Sequence, residues 1–149
     1  MTILVIDGQG GGLGKQLVGA IKTSIPGAQV IAAGTNSIAT GAMVKAGADR
    51  GATGENAVVV CSGKADIIVG AVGIVIADSM LGEITPKMAE AVGRSRAVRV
   101  LIPVNLCGNI IVGVGEIRMT ALIKDAVAEI RALIGFAGDR FGFSYMAFL

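Results

Sequence analysis

The sequence contains no histidine and no tryptophan. Without histidine it lacks the commonest general base near neutral pH and the commonest metal ligand, and it predicts no metal site. Aromatic residues are almost missing. Phe136, Phe141, Phe143, Phe148 and the single tyrosine, Tyr145, all fall in the last fourteen residues, so the preceding body must pack with aliphatic side chains. Charge is also sparse, at 16% of residues against 53% apolar, which fits a sheet covered on both faces or a surface hidden in a homo-oligomer. The net charge of +2 is too small to argue for nucleic acid or an anionic membrane as a partner. Two cysteines, Cys61 and Cys107, stand far apart without metal or redox spacing, which predicts reduced thiols and a cytoplasmic protein. The longest uncharged stretch, Ile25 to Val44, is interrupted by Pro26, Gln29, Asn36 and several glycines and is no membrane span. The first residues enter a strand pattern directly, with no basic region or cleavage site, so no secretory signal is predicted.

What is present is an alternation of apolar runs and helical periodicity, the pattern of βαβ units around a mostly parallel sheet. Strands are predicted over residues 2–7, 29–33, 49–52, 67–72, 98–104 and, as a sixth, 109–114. A first helix over 12–23 places Leu13, Leu17, Val18 and Ile21 on one face. Ser37 is the expected N-cap of a second helix with a small inner stripe (Ala39, Ala42, Met43, Ala46). Residues 55–63 carry mixed signals. Val58-Val59-Val60 favours a strand, but the βαβ alternation requires a crossover helix there. Residues 73–82 read as a strand extension followed by a loop. Thr85-Pro86 opens a further helix as N-cap and N1 proline. The last helix carries Met119, Leu122, Ile123, Ala126, Val127, Ile130, Leu133 and Ile134 on one stripe. The domain is expected to span 1–134, with an aromatic tail over 135–149 that is either a docking arm or a disordered extension.

The most informative segment is Asp7-Gly8-Gln9-Gly10-Gly11-Gly12-Leu13-Gly14-Lys15, which follows the apolar run Ile3–Ile6 and opens the first helix. Five glycines in the seven positions 8–14 let backbone N–H groups approach an anion, and the positive helix end favours a phosphate. Lys15 at that positive end is locally unfavourable unless an anion offsets it. The candidate cofactor-binding residues are therefore Gly8, Gln9, Gly10, Gly11, Gly12, Leu13, Gly14 and Lys15. Gly34, Thr35 and Asn36, after the second strand, stand where a ribose would lie. No acidic residue follows that strand, as an NAD site usually has, and no arginine is adjacent to clamp a 2′-phosphate.

The loop does not fit G-x-G-x-x-G, but Gly8, Gly12 and Gly14 fit G-x-x-x-G-x-G. In this it resembles the cofactor loop of short-chain dehydrogenases/reductases, which implies NAD(P) as cofactor. Asp7 stands where that family usually has threonine. The family's catalytic Tyr-x-x-x-Lys pair is absent, since Tyr145 is followed by Leu149, so the resemblance implies cofactor binding without the hydride-transfer machinery. Gly11–Lys15 also resembles the end of a variant P-loop, with Ile74–Asp78 as the strand and aspartate that support magnesium. Against that alternative, Gln16 occupies the Ser/Thr position that ligates the metal.

Polar residues at the expected carboxyl ends of the strands include Glu55, Asn56, Asp78, Ser79, Glu83, Asn105 and Cys107. Glu55, Asp78 or Asn105 would stand at the nicotinamide of a small oxidoreductase. Without histidine, Cys107 has no evident activating partner, and loop or cap duty is the simpler role for the whole set. Arg94, Arg96 and Arg99 read as a basic helix C-terminus complementing its dipole. From Met1 to about Arg131 the chain resembles a small family of short bacterial proteins of unknown function with a Rossmann-like fold. The stretches that carry the likeness are Val5–Lys15, Gly34–Asn36, Ala46–Asp49, Gly51–Asn56, Ser79–Thr85 and Leu101–Pro103. The expected fold is a three-layer Rossmann-like α/β sandwich with five or six strands, ordered 3-2-1-4-5. The expected function is nucleotide binding, with NAD(P) as the leading ligand. The alternatives are ATP or GTP in a P-loop-like site, or an oligomeric scaffold whose glycine loop merely turns the chain.

Overall fold

A computed structural model describes residues 1–104 and 107–138. The elements run β1 (Thr2–Asp7), α1 (Gly12–Ser24), β2 (Gln29–Gly34), α2 (Ser37–Lys45), β3 (Arg50–Thr53), α3 (Glu55–Ser62), β4 (Ile67–Ala71), α4 (Pro86–Arg94), β5 (Val98–Ile102) and α5 (Met119–Gly138). All strand pairs are parallel, in the order β3-β2-β1-β4-β5. β1 is central: Ile3 pairs with Val30 on one side and Ile67 on the other. Parallel strands need crossovers, and α1 packs with α2 and α5 while α3 packs with α4, giving the three-layer Rossmann-like sandwich. The strand order reverses between β1 and β4, so the crevice beyond their carboxyl ends is where such a sheet receives ligands.

The core is aliphatic throughout. Ile3, Leu4 and Val5 of β1 are wholly buried, as are Leu17, Val18 and Ile21 of α1 and Ile68 and Val69 of β4. In α3 the βαβ requirement overrides the strand propensity of its valines: Val58 is buried and Val60 turns outward. Thr85 caps α4 by accepting from the Met88 amide, with Pro86 in the first turn, as the sequence predicts. Arg99 donates to the Ser95 carbonyl at 2.9 Å and so closes the C-terminus of α4.

Four sequence expectations change. The cap of α2 is Asn36 rather than Ser37, its side chain accepting from the Ala39 amide at 2.9 Å. β5 stops at Ile102, because Pro103 has no N–H to continue a ladder. Residues 73–82 do not extend β4. A 3-10 turn over Val72–Val75 is followed by turns in which Asp78, Met80, Leu81 and Gly82 all have positive φ. Finally, residues 109–114 form no strand, so five strands make up the sheet among the described residues. That apolar run is flanked by Gly108 and Gly113 at φ +83° and +86°, which turn it out of register with the β5 edge. Helix α5 reaches Gly138, so the first residues assigned to the aromatic tail are helical, since no proline interrupts them. The tail beyond Gly138, like Asn105, lies outside the described residues.

One polar tie closes the edge of the sheet opposite the glycine loop. Asp49 accepts from the Val30 amide at 2.7 Å and pairs with Lys22 at 3.0 Å, linking the start of β3 to β2 and α1. The Val30 amide and the Lys22 ammonium hold the Asp49 carboxyl below its ordinary value of 3.8. Its contribution is therefore complete above that value and fades as pH falls through the lower folded pKa. Asp49→Ala is expected to lower stability by about 1 kcal/mol at pH 7, most of it from the amide bond because the ion pair is partly solvated. Urea unfolding at pH 7 and pH 3 checks this, and the gap between the two proteins must shrink in acid.

Candidate functional site

The glycine loop leaves β1 at Asp7 and enters α1 at Gly12. Asp7 is 4% exposed, and its two carboxylate oxygens hold both ends of the loop. One accepts from the Gly8 amide at 2.8 Å, the other from the Gly14 amide at 2.6 Å. Gly11 donates back to the Gly8 carbonyl at 2.9 Å, and Lys15 to the Gly11 carbonyl at 2.9 Å. Asp7 thus does from the strand what an N-cap residue does from inside a helix, satisfying an amide in the first turn of α1.

The five glycines divide into two kinds. A Cβ on Gly8 would lie 2.7 Å from both the Glu83 carboxylate and the Thr35 hydroxyl. On Gly11, which has φ +72°, it would lie 2.7 Å from the backbone of Ala39, and on Gly14 2.8 Å from the Asp7 Cβ. Packing demands glycine at Gly11 and Gly14, and at Gly8 a Cβ would displace the side-chain ends of Glu83 and Thr35. At Gly10 and Gly12 an added Cβ meets nothing within 4 Å, and both residues are exposed. The amides follow the same division. Those of Gly8, Gln9, Gly11 and Gly14 are occupied, while those of Gly10, Gly12 and Leu13 meet no acceptor among the described residues.

A second carboxylate reaches the loop from the far side of the switch point. Glu83, between β4 and α4, brings its Oε2 to within 2.7 Å of the Gln9 amide. The same oxygen accepts from the Thr35 hydroxyl, and from Asn36 Nδ2 at 3.1 Å. Asn36 Nδ2 also donates to the Gln9 carbonyl at 2.9 Å, so its side chain caps α2 and ties β2's end to the loop at once. Gly34 is glycine because a Cβ would run into Thr40 of α2.

The two carboxylates respond oppositely to this environment. Burial is the largest influence on Asp7 and raises its pKa above 3.8; the Gly14 and Gly8 amides pull it down and the Glu83 charge pushes it up. For Glu83 the largest single influence, desolvation, also acts upward. The Thr35 hydroxyl, the Gln9 amide and the Asn36 amide together outweigh it and hold the carboxyl below 4.5.

The predicted cofactor residues are thus brought together with different degrees of freedom. Gly8 and Gln9 lie under Glu83, Gly11 and Gly14 pack inward, and Leu13 is buried in the core. Thr35 and Asn36 sit beside the loop, bonded to Glu83. Lys15 is exposed and joins no ion pair among the described residues. A depression of about 430 Å³ lined by Gln9, Asp78, Ser79, Met80, Leu81 and Cys107 opens alongside. Of the candidate bases of the enzyme alternative, Asp78 lines this depression and Glu55 does not. Glu55 accepts from the Thr85 hydroxyl at 2.7 Å, joining α3 to the cap of α4, and Asp78 lies exposed in the left-handed turn. Ile74–Asp78 forms no strand, so the strand-plus-aspartate of the P-loop alternative is not built. Sequence reasoning missed the role of Glu83, naming it only among polar residues at strand ends. The one signal was its place in the family-like stretch Ser79–Thr85.

The chain belongs to the family described as "Domain of unknown function (DUF3842)", whose model matches residues 2–135. No curated protein matches it. Among solved structures it is similar to a dodecameric FMN-dependent UbiX-like decarboxylase from Escherichia coli O157:H7. The two are 13% identical, with 97% of each chain covered and a TM-score of 0.45. No helix of the described residues is long and apolar enough to cross a membrane.

Asp7→Asn replaces an acceptor pair with one acceptor and one donor, leaving an amide of the loop unsatisfied. It is expected to cost about 1–3 kcal/mol. Because the folded pKa of Asp7 is raised, its contribution is complete below about pH 3.8 and is lost as pH rises through the higher folded value. The gap between wild type and Asp7→Asn must therefore narrow as pH rises from about 3.8 through that raised value in denaturant titrations. For Glu83→Gln the sign reverses, because the lowered Glu83 pKa makes its contribution vanish on acidification.

Proposed function

We propose that this DUF3842 chain reversibly binds a nucleotide, with NAD(P) the leading ligand, on the loop Gly8–Lys15. Phosphate oxygens would take the amides of Gly10, Gly12 and Leu13, and the ribose would lie toward Gly34, Thr35 and Asn36. The observation that carries this reading is the coincidence at Gly10 and Gly12. These are glycines that packing does not require, and their amides have no acceptor among the described residues, at the positive end of a 13-residue helix. Backbone that stays bare and uncrowded at a helix N-terminus is what a phosphate needs. The spacing of Gly8, Gly12 and Gly14, similar to that of short-chain dehydrogenases/reductases, favours a dinucleotide over ATP or GTP. Lys15 stands at the right end of the helix to add a mobile positive charge. With Glu55 tied to Thr85, binding without an assigned reaction is as far as the described side chains carry the reading.

Assembly with copies of the same chain forms part of this reading. Leu81, Ile110 and Val112 are each more than nine-tenths exposed. Large apolar side chains standing that far into solvent favour an oligomer that covers them. Cys61 and Cys107 form no disulfide, which fits a reducing, cytoplasmic setting.

Thermal unfolding with NADH, NADPH, ATP, GTP and FMN tests the reading. A true ligand at one hundred times its dissociation constant stabilises by about 2.7 kcal/mol, a readily measured shift in Tm. Gly12→Ala separates binding from folding. Its methyl meets nothing, so unliganded stability should hold or rise by up to about 1 kcal/mol from helix propensity. The ligand-induced shift should shrink sharply. If no nucleotide shifts the Tm at millimolar concentration, the proposal fails.

A further inference from the structure

We propose that Glu83 is the residue that selects the sugar, recognising a ribose with free 2′ and 3′ hydroxyls and rejecting a 2′-phosphate; this deepens the nucleotide reading above and rests on it. In an open sheet of this kind the ribose-binding acid ordinarily ends the second strand. Here that strand ends in Gly34-Thr35-Asn36, all neutral. The missing charge arrives from the other side of the switch point. Glu83 sets its Oε2 against Thr35 and Asn36 and against the Gln9 amide of the glycine loop. That is the corner where β1, β2 and the loop meet.

Only half of the carboxylate is used. All three donors converge on Oε2, and Oε1 accepts from no group among the described residues. A carboxylate has acceptor capacity on both oxygens, so Oε1 is open to a hydroxyl donor. Glu83 as a residue is partly exposed. It enters no salt bridge among the described residues, so no cation there neutralises it before a ligand arrives. A sugar hydroxyl would gain a charge-assisted hydrogen bond, and a phosphate ester on the same carbon would face an uncompensated negative charge.

The position of Glu83 is held against strain. Asp78, Met80 and Leu81 have φ of +62°, +55° and +58°, followed by Gly82 at +89°. Left-handed backbone at non-glycine residues is strained and persists where surrounding bonds over-determine it. Those bonds are present: Asp78 N–H to the Ile84 carbonyl at 2.8 Å, Gly82 N–H to the Asp78 carbonyl at 3.1 Å, and Glu83 N–H to the Met80 carbonyl at 3.2 Å. The turn fixes the backbone from which the carboxylate reaches Gly8. There the absent Cβ leaves just enough room for the carboxylate.

Titration calorimetry of the full chain with NAD+ and with NADP+ tests the inference. Wild type is expected to bind NAD+ at least about tenfold more tightly, the scale of one charge-assisted hydrogen bond. Glu83→Gln should weaken NAD+ binding and bring the ratio of the two affinities toward one. A residue that merely braces the loop would lower both affinities alike and leave their ratio unchanged. Glu129→Gln, which removes an exposed carboxylate on α5 away from the loop, should retain the preference and serves as the folded control. If the chain takes only mononucleotides, the pair is ADP and 2′-deoxy-ADP, with ADP preferred and the preference lost in Glu83→Gln. Equal affinities in wild type, or a ratio unmoved by Glu83→Gln, overturn the role of Glu83 while leaving nucleotide binding intact. Absence of binding by every nucleotide overturns both.

Discussion

A single buried carboxylate organises the amino-terminal loop on which the site depends. Asp7 sits at the last position of the central strand and clasps amides six residues apart in number, those of Gly8 and Gly14. Without it the turn from β1 into α1 would bury two N–H groups with no acceptor, and the helix would have no partner for its third amide. The clasp carries a cost, because burying the charge is unfavourable, and the raised pKa records that cost. It also shapes what is left over. By taking the Gly14 amide internally, Asp7 leaves only the outermost amides of α1 to receive anything from outside.

The glycine loop therefore does two jobs with one composition. Gly8, Gly11 and Gly14 permit close approach of Glu83, of the backbone of α2 and of the strand beneath. Gly10 and Gly12 permit nothing within the protein, which is why they are the informative pair. A motif counted as five equivalent glycines is in fact a scaffold of three enclosing an open edge of two. The second carboxylate, Glu83, lies across that edge on the β2 side, so the site is asymmetric in charge, with bare amides toward α1 and an anionic oxygen toward β2.

Much of the fold was legible in the sequence because its signals are local. The Ile3–Ile6 run before the glycines, Pro86 after Thr85, and the stripe from Met119 to Ile134 each state an element within a few residues. The strand order 3-2-1-4-5 came with the Rossmann-like fold expected from the βαβ alternation and the family likeness. Where reading failed, the deciding contact was remote or the pattern degenerate. The residues Ile110 and Val112 look like a strand, yet flanking glycines at positive φ turn them outward. Val58–Val60 looks like a strand as well and is a helix, and only topology distinguished the two cases. Asn36 displaced Ser37 as cap because it satisfies three groups at once, two of them far along the chain. The site was half legible for the same reason. Its glycines are contiguous, but Glu83 lies 74 residues from the amide it holds, and no spacing rule connects them.

The aliphatic interior has an optical and a chemical consequence. Residues 1–135 contain no ring chromophore, so near-ultraviolet absorbance and emission arise from residues 136–149 alone. Nor has that body any flat π face on which a heterocyclic base could stack. A planar guest in the depression beside the loop would meet the Met80 thioether, the Leu81 side chain and polar groups rather than a ring of that body.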